Sequence, residues 1–286
     1  MQSSFSGWGN GMLGVLIFSG SLPATRVAVG GFDPLFLTSV RAVVAAGLAL
    51  ILLVVFRQVR PERSEVFSLI VVALGVVVGF PLLTAMALTH ITAAHSVVFT
   101  GLLPLSTALF GVLRGGERPS PAFWVFSVVG AAAVVGFALS QSADVSLVGD
   151  LLMLGAIVVC GLGYAEGAML TRRLGGWQVI SWALVMALPV MAGLAIYAWP
   201  GQVAGLSVSI WISLGYVSVF SMLIGFVFWY RGLAAGGTAG VGQLQLLQPF
   251  ISLLLAAFLL GEAVAPLMIA TAVFVVLCVA GAKRFA

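Results

Sequence analysis

The sequence predicts an all-α membrane protein with ten transmembrane helices in two inverted five-helix repeats, and three observations carry that reading. Hydrophobic residues make up 62% of the 286 positions and charged residues only 7%. Apolar runs of about 20 residues, the length that crosses a hydrocarbon core, recur along the chain. The second half also repeats the spacing of rarer residues in the first. With a mean hydropathy of +1.23, the chain has too little polar surface to cover a water-soluble globule, so its solvent is lipid. Backbone groups in lipid are satisfied internally, by helices or closed barrels, and these runs are too long for barrel strands.

Apolar runs between breakers place spans at 8–29, 34–56, 66–88, 93–113, 120–140, 147–170, 177–199, 209–231, 238–260 and 264–282. The breakers are short: Asp33-Pro34, Arg57 to Glu65, Thr89 to Thr92, Arg114 to Pro121, Gln141 to Asp144, Arg172 to Gly176, Pro200-Gly201, Arg231 to Gly237, and Gly261 to Ala263. Met1 to Gly11 carries no Lys or Arg, and the first run ends without a small-residue cleavage site. It reads as a retained span, not a signal peptide.

Charge gives an independent check on the count. When the loops are numbered alternately, Arg57, Arg60, Arg63, Arg114, Arg118, Arg172, Arg173, Arg231, Lys283 and Arg284 fall on one side, ten of the twelve basic residues. The other side holds Asp33, Asp144, Asp150 and Glu262, with Arg26 near a span end and Arg41 inside the second span. By the positive-inside rule both termini are cytoplasmic, and an odd number of spans would scramble the pattern. The net charge of +4 has no dense basic patch behind it, so no nucleic-acid partner is expected. Cys160 and Cys278 both lie in apolar runs, which suggests neither a disulfide framework nor a metal site.

A shift of 145 residues lays Leu88, Ala94, Leu102, Pro104, Leu109, Gly116 and Glu117 onto Leu233, Ala239, Leu247, Pro249, Leu254, Gly261 and Glu262. The Pro-x11-Gly-Glu skeleton matters most, because it uses residues that are scarce in Leu- and Ala-rich sequence. Two units follow, 1–144 and 145–286. Five spans is an odd number, so the halves insert in opposite senses, with Glu117 at the cytoplasmic face and Glu262 at the outer face. Such symmetry lets a site between the halves open to each side in turn.

Several residues extend this pattern: Ser19-Gly20-Ser21-Leu22-Pro23-Ala24-Thr25-Arg26 in the first span, Arg41 followed by small residues, and the helix ends Gly116-Glu117-Arg118 and Gly261-Glu262. On these the chain resembles the drug/metabolite transporter superfamily, specifically its ten-span EamA-like members, over nearly its whole length. The resemblance implies a central cavity between helix bundles. It also implies transport of a small molecule across the bacterial inner (plasma) membrane, with export of amino acids, aromatic or broad in range, as the nearest match. Efflux of drugs, or of sugars or nucleotide derivatives, fits the same fold. Two departures stand out: no basic residue follows Glu262, and Arg114 replaces an apolar residue near its helix end.

The candidate site is drawn from polar and aromatic residues on the spans flanking the implied cavity. His95 on the fourth span and Gln243, Gln245 and Gln248 on the ninth are symmetry partners that offer groups for an amino or carboxylate function. Helical spacing puts Gln245 and Gln248 on one face and turns Gln243 away. Phe80, Phe99, Tyr164 and Trp229 are candidate walls for an apolar side chain. The substrate-binding set is therefore His95, Phe99, Tyr164, Gln245, Gln248, Phe80 and Trp229.

Pro23, Pro81, Pro104 and Pro249 are the candidate hinges, since a missing N–H frees a carbonyl and permits a bend. Glu166 is the only acid well inside a predicted span and the candidate relay for a proton or cation, although a tie to Arg172 or Arg173 is the preferred reading. Arg41 sits about seven residues inside its span, where a charge needs a partner, and structural pairing is expected. Trp8, Trp124, Trp177, Trp199 and Trp211 fall near span ends and read as interfacial anchors. No His-Glu-x-x-His or Gly-x-Ser-x-Gly motif is present, so no enzymatic activity, cofactor or metal is expected. A monomer is expected.

Overall fold

The computed structural model describes residues 2–286 apart from 88–89, 92–95, 97–98, 142–145, 202–204 and 261–265. His95, Asp144, Gly261 and Glu262 therefore lie outside the described residues. The described chain is helical throughout, with no strand among those residues. Its helices are α1 (Gln2–Ser19), α2 (Ser21–Ala28), α3 (Pro34–Val55), α4 (Arg63–Ala87), α5 (Leu103–Gly115), α6 (Pro121–Gln141), α7 (Leu147–Leu174), α8 (Gly176–Tyr197), α9 (Val208–Gly236), α10 (Thr238–Gly242), α11 (Gln248–Leu260) and α12 (Pro266–Phe285). A 3-10 turn, Gln243–Leu247, joins α10 to α11. Among the described residues, α3, α4, α7, α8, α9 and α12 are long and apolar enough to cross a membrane, and two shorter apolar helices accompany them.

The helix ends follow local chemistry. Asp33 caps α3 by accepting from the N–H groups of Leu35 (2.8 Å) and Phe36 (3.4 Å), with Pro34 in the first turn where no N–H is missed. Glu62 and Glu65 form a reciprocal capping box at the start of α4. Ser146 caps α7, which carries Asp150 in its first turn and Arg172 and Arg173 in its last, matching the helix dipole. Sequence ended this span at 170 and the eighth at 231, yet α7 runs to Leu174 and α9 to Gly236. A charge ends an apolar run without ending a helix, and Gly175 (φ +95°) and Gly237 (φ +88°) mark the ends of these two.

Four irregularities interrupt the spans. The first run breaks at Gly20 between α1 and α2, and the ninth is interrupted by the 3-10 turn between α10 and α11. α4 widens to π geometry over Ala73–Gly79, and α9 does so over Val217–Ile224. The four candidate hinge prolines stand beside these irregularities or near a helix start. Pro81 follows the π stretch of α4, Pro249 follows the 3-10 turn, Pro104 is the second residue of α5, and Pro23 is the third of α2. At the starts of α2 and α5 a missing N–H costs little, while Pro81 and Pro249 follow closely on the π and 3-10 stretches, where the hydrogen-bond ladder already changes.

α7 lies at the centre, with α4, α5, α8 and α9 packed around it, while α1 packs on α9, α3 on α8, and α6 on α12. Close approach depends on small residues. A Cβ at Gly75 of α4 would sit 3.0 Å from the Cα of Gly163 on α7 and 2.5 Å from the carbonyl of Val159. With no hydrophobic drive between helices in lipid, such backbone contact supplies the packing. The buried core is largely aliphatic, with Trp229 and Tyr230 its largest fully buried side chains.

Candidate substrate site

Three of the residues singled out from sequence meet in the interior. Tyr164 on α7, Trp229 on α9 and Gln245 on the 3-10 turn are each buried. The Gln245 Nε2 donates to the Tyr164 hydroxyl at 3.2 Å. The Tyr164 ring lies 5.5 Å from that of Trp229, nearly edge to face, and 6.2 Å from Phe226, while Phe18 of α1 lies 6.2 Å from the Trp229 ring. Cys160, one turn before Tyr164, is buried in the same core.

Two polar atoms in this cluster are unsatisfied. The Gln245 Oε1 and the Trp229 Nε1 are buried without a hydrogen-bond partner. An acceptor and a donor held unpaired among aromatic rings are costly in an apolar interior, and a ligand presenting the complementary groups would satisfy both. Gln243 is also fully buried. Its Nε2 reaches the Ala239 carbonyl at 3.5 Å and its Oε1 has no partner, so it is buried against a different neighbour from the one Gln245 meets. In the 3-10 segment residues three apart eclipse and residues two apart do not, so Gln243 and Gln245 point different ways.

The remaining members are more scattered. Phe99 is buried and Phe80 partly buried, and both pack into the main core. Gln248 is partly buried, and its backbone carbonyl accepts from Ser19 Oγ at 3.5 Å. Cys160 is buried in the same core as these rings. It stands one helical turn before Tyr164, as Phe226 stands one turn before Trp229.

Ion pairs gather at the end of the bundle where α5, α7 and α9 finish. Glu166 is 1% exposed and takes a hydrogen bond from Arg114 Nε at 2.5 Å, while its Oε2 is buried and unpartnered. The preferred tie to Arg172 or Arg173 is thus corrected. Arg172 approaches Glu117 at 3.9 Å, and Arg173 lies 3.6 Å from both Glu62 and Glu65. Helix packing brings α5 against α7 and hands Glu166 a partner 52 residues away. Glu65, buried at its cap, is a second buried acid that the sequence reading passed over. Glu117 accepts from the N–H groups of Thr238 (2.6 Å) and Ala239 (2.7 Å) and so closes the N-terminus of α10.

The comparisons with known proteins give the class to which this helical bundle belongs. The model of the EamA-like transporter family matches residues 6–139 and again residues 147–282. The chain belongs to the EamA-like transporter family and is a multi-pass membrane transporter. It is 62% identical over 286 residues, the whole of both chains, to the uncharacterized transporter YdeK of Bacillus subtilis (strain 168). A solved crystal structure superposes with a TM-score of 0.83 at 20% identity, covering 98% of this chain and 99% of that one. That likeness concerns the fold.

Proposed function

We propose that this chain is an alternating-access carrier of the plasma membrane that exports amino acids, aromatic or of broad range, or similar small metabolites. It acts as a monomer of ten spans in two inverted halves, 1–144 and 145–286, with both termini cytoplasmic. The observation that carries the reading is the Tyr164, Trp229 and Gln245 cluster, with an unpaired acceptor and an unpaired donor walled by aromatic rings. Its polar atoms suit an amino or carboxylate group, and its rings suit an apolar side chain.

The inverted arrangement draws support from three sources. The family model matches twice. π stretches recur in α4 and α9 at positions 144–145 residues apart. The packing pairs also exchange under the repeat: α1 on α9 becomes α7 on α4, while α3 on α8 and α6 on α12 map onto themselves. Pro104 and Pro249, each second in its helix, are the paired hinge candidates, joined by Pro23 and Pro81. Glu166 is the candidate proton relay.

Counterflow in proteoliposomes tests the reading, using labelled amino acids, sugars and cationic drugs with and without a pH gradient. Amino-acid exchange that falls at least tenfold in Gln245→Leu supports it. Purified, folded protein that moves none of these solutes overturns it. Cysteines introduced beside Glu117 and Glu262 should label from opposite sides of the membrane.

A further inference from the structure

Arg41 lies about 10 Å along α3 from its capped start, at the helical rise per residue, and so within the apolar thickness. Its Nη2 donates to Ser221 Oγ at 3.1 Å, and that hydroxyl in turn accepts from Ser21 Oγ at 2.7 Å. The guanidinium thus sits where α3 meets two irregular features: the first residue of α2 after the break at Gly20, and the π stretch of α9. No carboxylate among the described residues pairs with it, and its Nε is buried with no acceptor. Thr84 Oγ1, on the part of α4 that packs against α3, is likewise buried and unpartnered.

Charges inside a membrane pair with one another or mark a substrate path. This one is tethered through a single neutral hydroxyl and keeps an Nε–H donor free. Nε–H beside an Nη–H is the fork that grips a carboxylate through two parallel hydrogen bonds. Ser221 stands eight residues before Trp229 on α9, so the guanidinium level is about 12 Å along the axis from the aromatic cluster.

We infer that Arg41, with Ser21 and Ser221, forms an acid-recognising subsite on the transport path, so that the transported solutes carry a carboxylate or a comparable anionic group. This rests on the carrier reading above and narrows its substrate class. A lipid headgroup phosphate is a poorer occupant, since the side chain is bonded inward between helices.

The test compares acids with their amides on the full chain: phenylalanine and phenylalaninamide, lactate and lactamide, benzoate and benzamide. Binding is read by thermal stabilisation in detergent, and transport by counterflow in vesicles. The parent should prefer at least one acid over its amide by tenfold or more. Arg41→Gln should erase that preference by weakening the acid alone, and Arg41→Lys, which keeps the charge but not the fork, should weaken it several-fold. Arg41→Lys decides the matter where Arg41→Gln fails to fold. A preference that survives unchanged in either folded variant overturns the inference, as does a parent that distinguishes no acid from its amide. If acid binding depends on Arg41 but no solute crosses the vesicle, the carrier reading falls and the subsite stands. If transport proceeds with an acid preference indifferent to Arg41, the subsite falls and the carrier stands.

Discussion

Removing the Glu117 carboxylate should loosen the seam between α5 and α10. Gly116, in the left-handed conformation at φ +67°, ends α5 and directs the next residue across to the start of α10. There the carboxylate takes the N–H groups of Thr238 and Ala239 at 2.6 and 2.7 Å, and both residues are buried. Hydrogen bonds to a charged group contribute about 1.5–3 kcal/mol each, so the pair bounds the loss at about 6 kcal/mol. Glu117 is 17% exposed, and water entering the vacated rim would recover part of this. Glu117→Ala should therefore cost about 2–4 kcal/mol, and Glu117→Gln, which keeps one acceptor without the charge, about half as much. Unfolding by sodium dodecyl sulfate in mixed micelles, followed by tryptophan fluorescence, measures both. An alanine variant within about 0.5 kcal/mol of the parent would refute the reasoning, because a bond to two buried N–H groups cannot be lost so cheaply.

Three further outcomes are expected. Arg114→Ala leaves the buried Glu166 carboxylate unpaired and should cost about 3 kcal/mol, whereas Glu166→Gln leaves only an exposed guanidinium in water and should cost under about 1 kcal/mol; the same unfolding assay reads this asymmetry. Gln245→Leu removes an orphaned acceptor but also the bond to the Tyr164 hydroxyl, so the two effects should offset to within about 2 kcal/mol of stability while exchange falls at least tenfold in vesicles. Gly75→Val would drive a branched side chain into the backbone of α7, and should abolish recovery of monodisperse protein on size-exclusion chromatography.

Much of the architecture was legible because lipid forces it: apolar length sets helices, and Asp33-Pro34 announces its own cap. Gly116-Glu117 was visible as half of a repeated pattern, but its task was not, since the receiving N–H groups lie 121 and 122 residues onward. Tyr164, Trp229 and Gln245 were chosen for polarity and ring character, and packing brought them together. The partner of Glu166 escaped because nearby arginines look closer in sequence than Arg114 does, while the contact of α5 with α7 reverses that order. The 3-10 turn at Gln243–Leu247 was not legible, because residue type alone does not signal a departure from the 3.6-residue period.

The wide turns in α4 and α9 have a mechanical consequence. A π turn holds a surplus residue, so reverting to ordinary α geometry would swing the rest of the helix by about 100° without breaking it. In α9 the swung portion carries Phe226 and Trp229, and in α4 it carries Phe80 and Pro81. Such a rotation would turn a different face of each helix toward the interior.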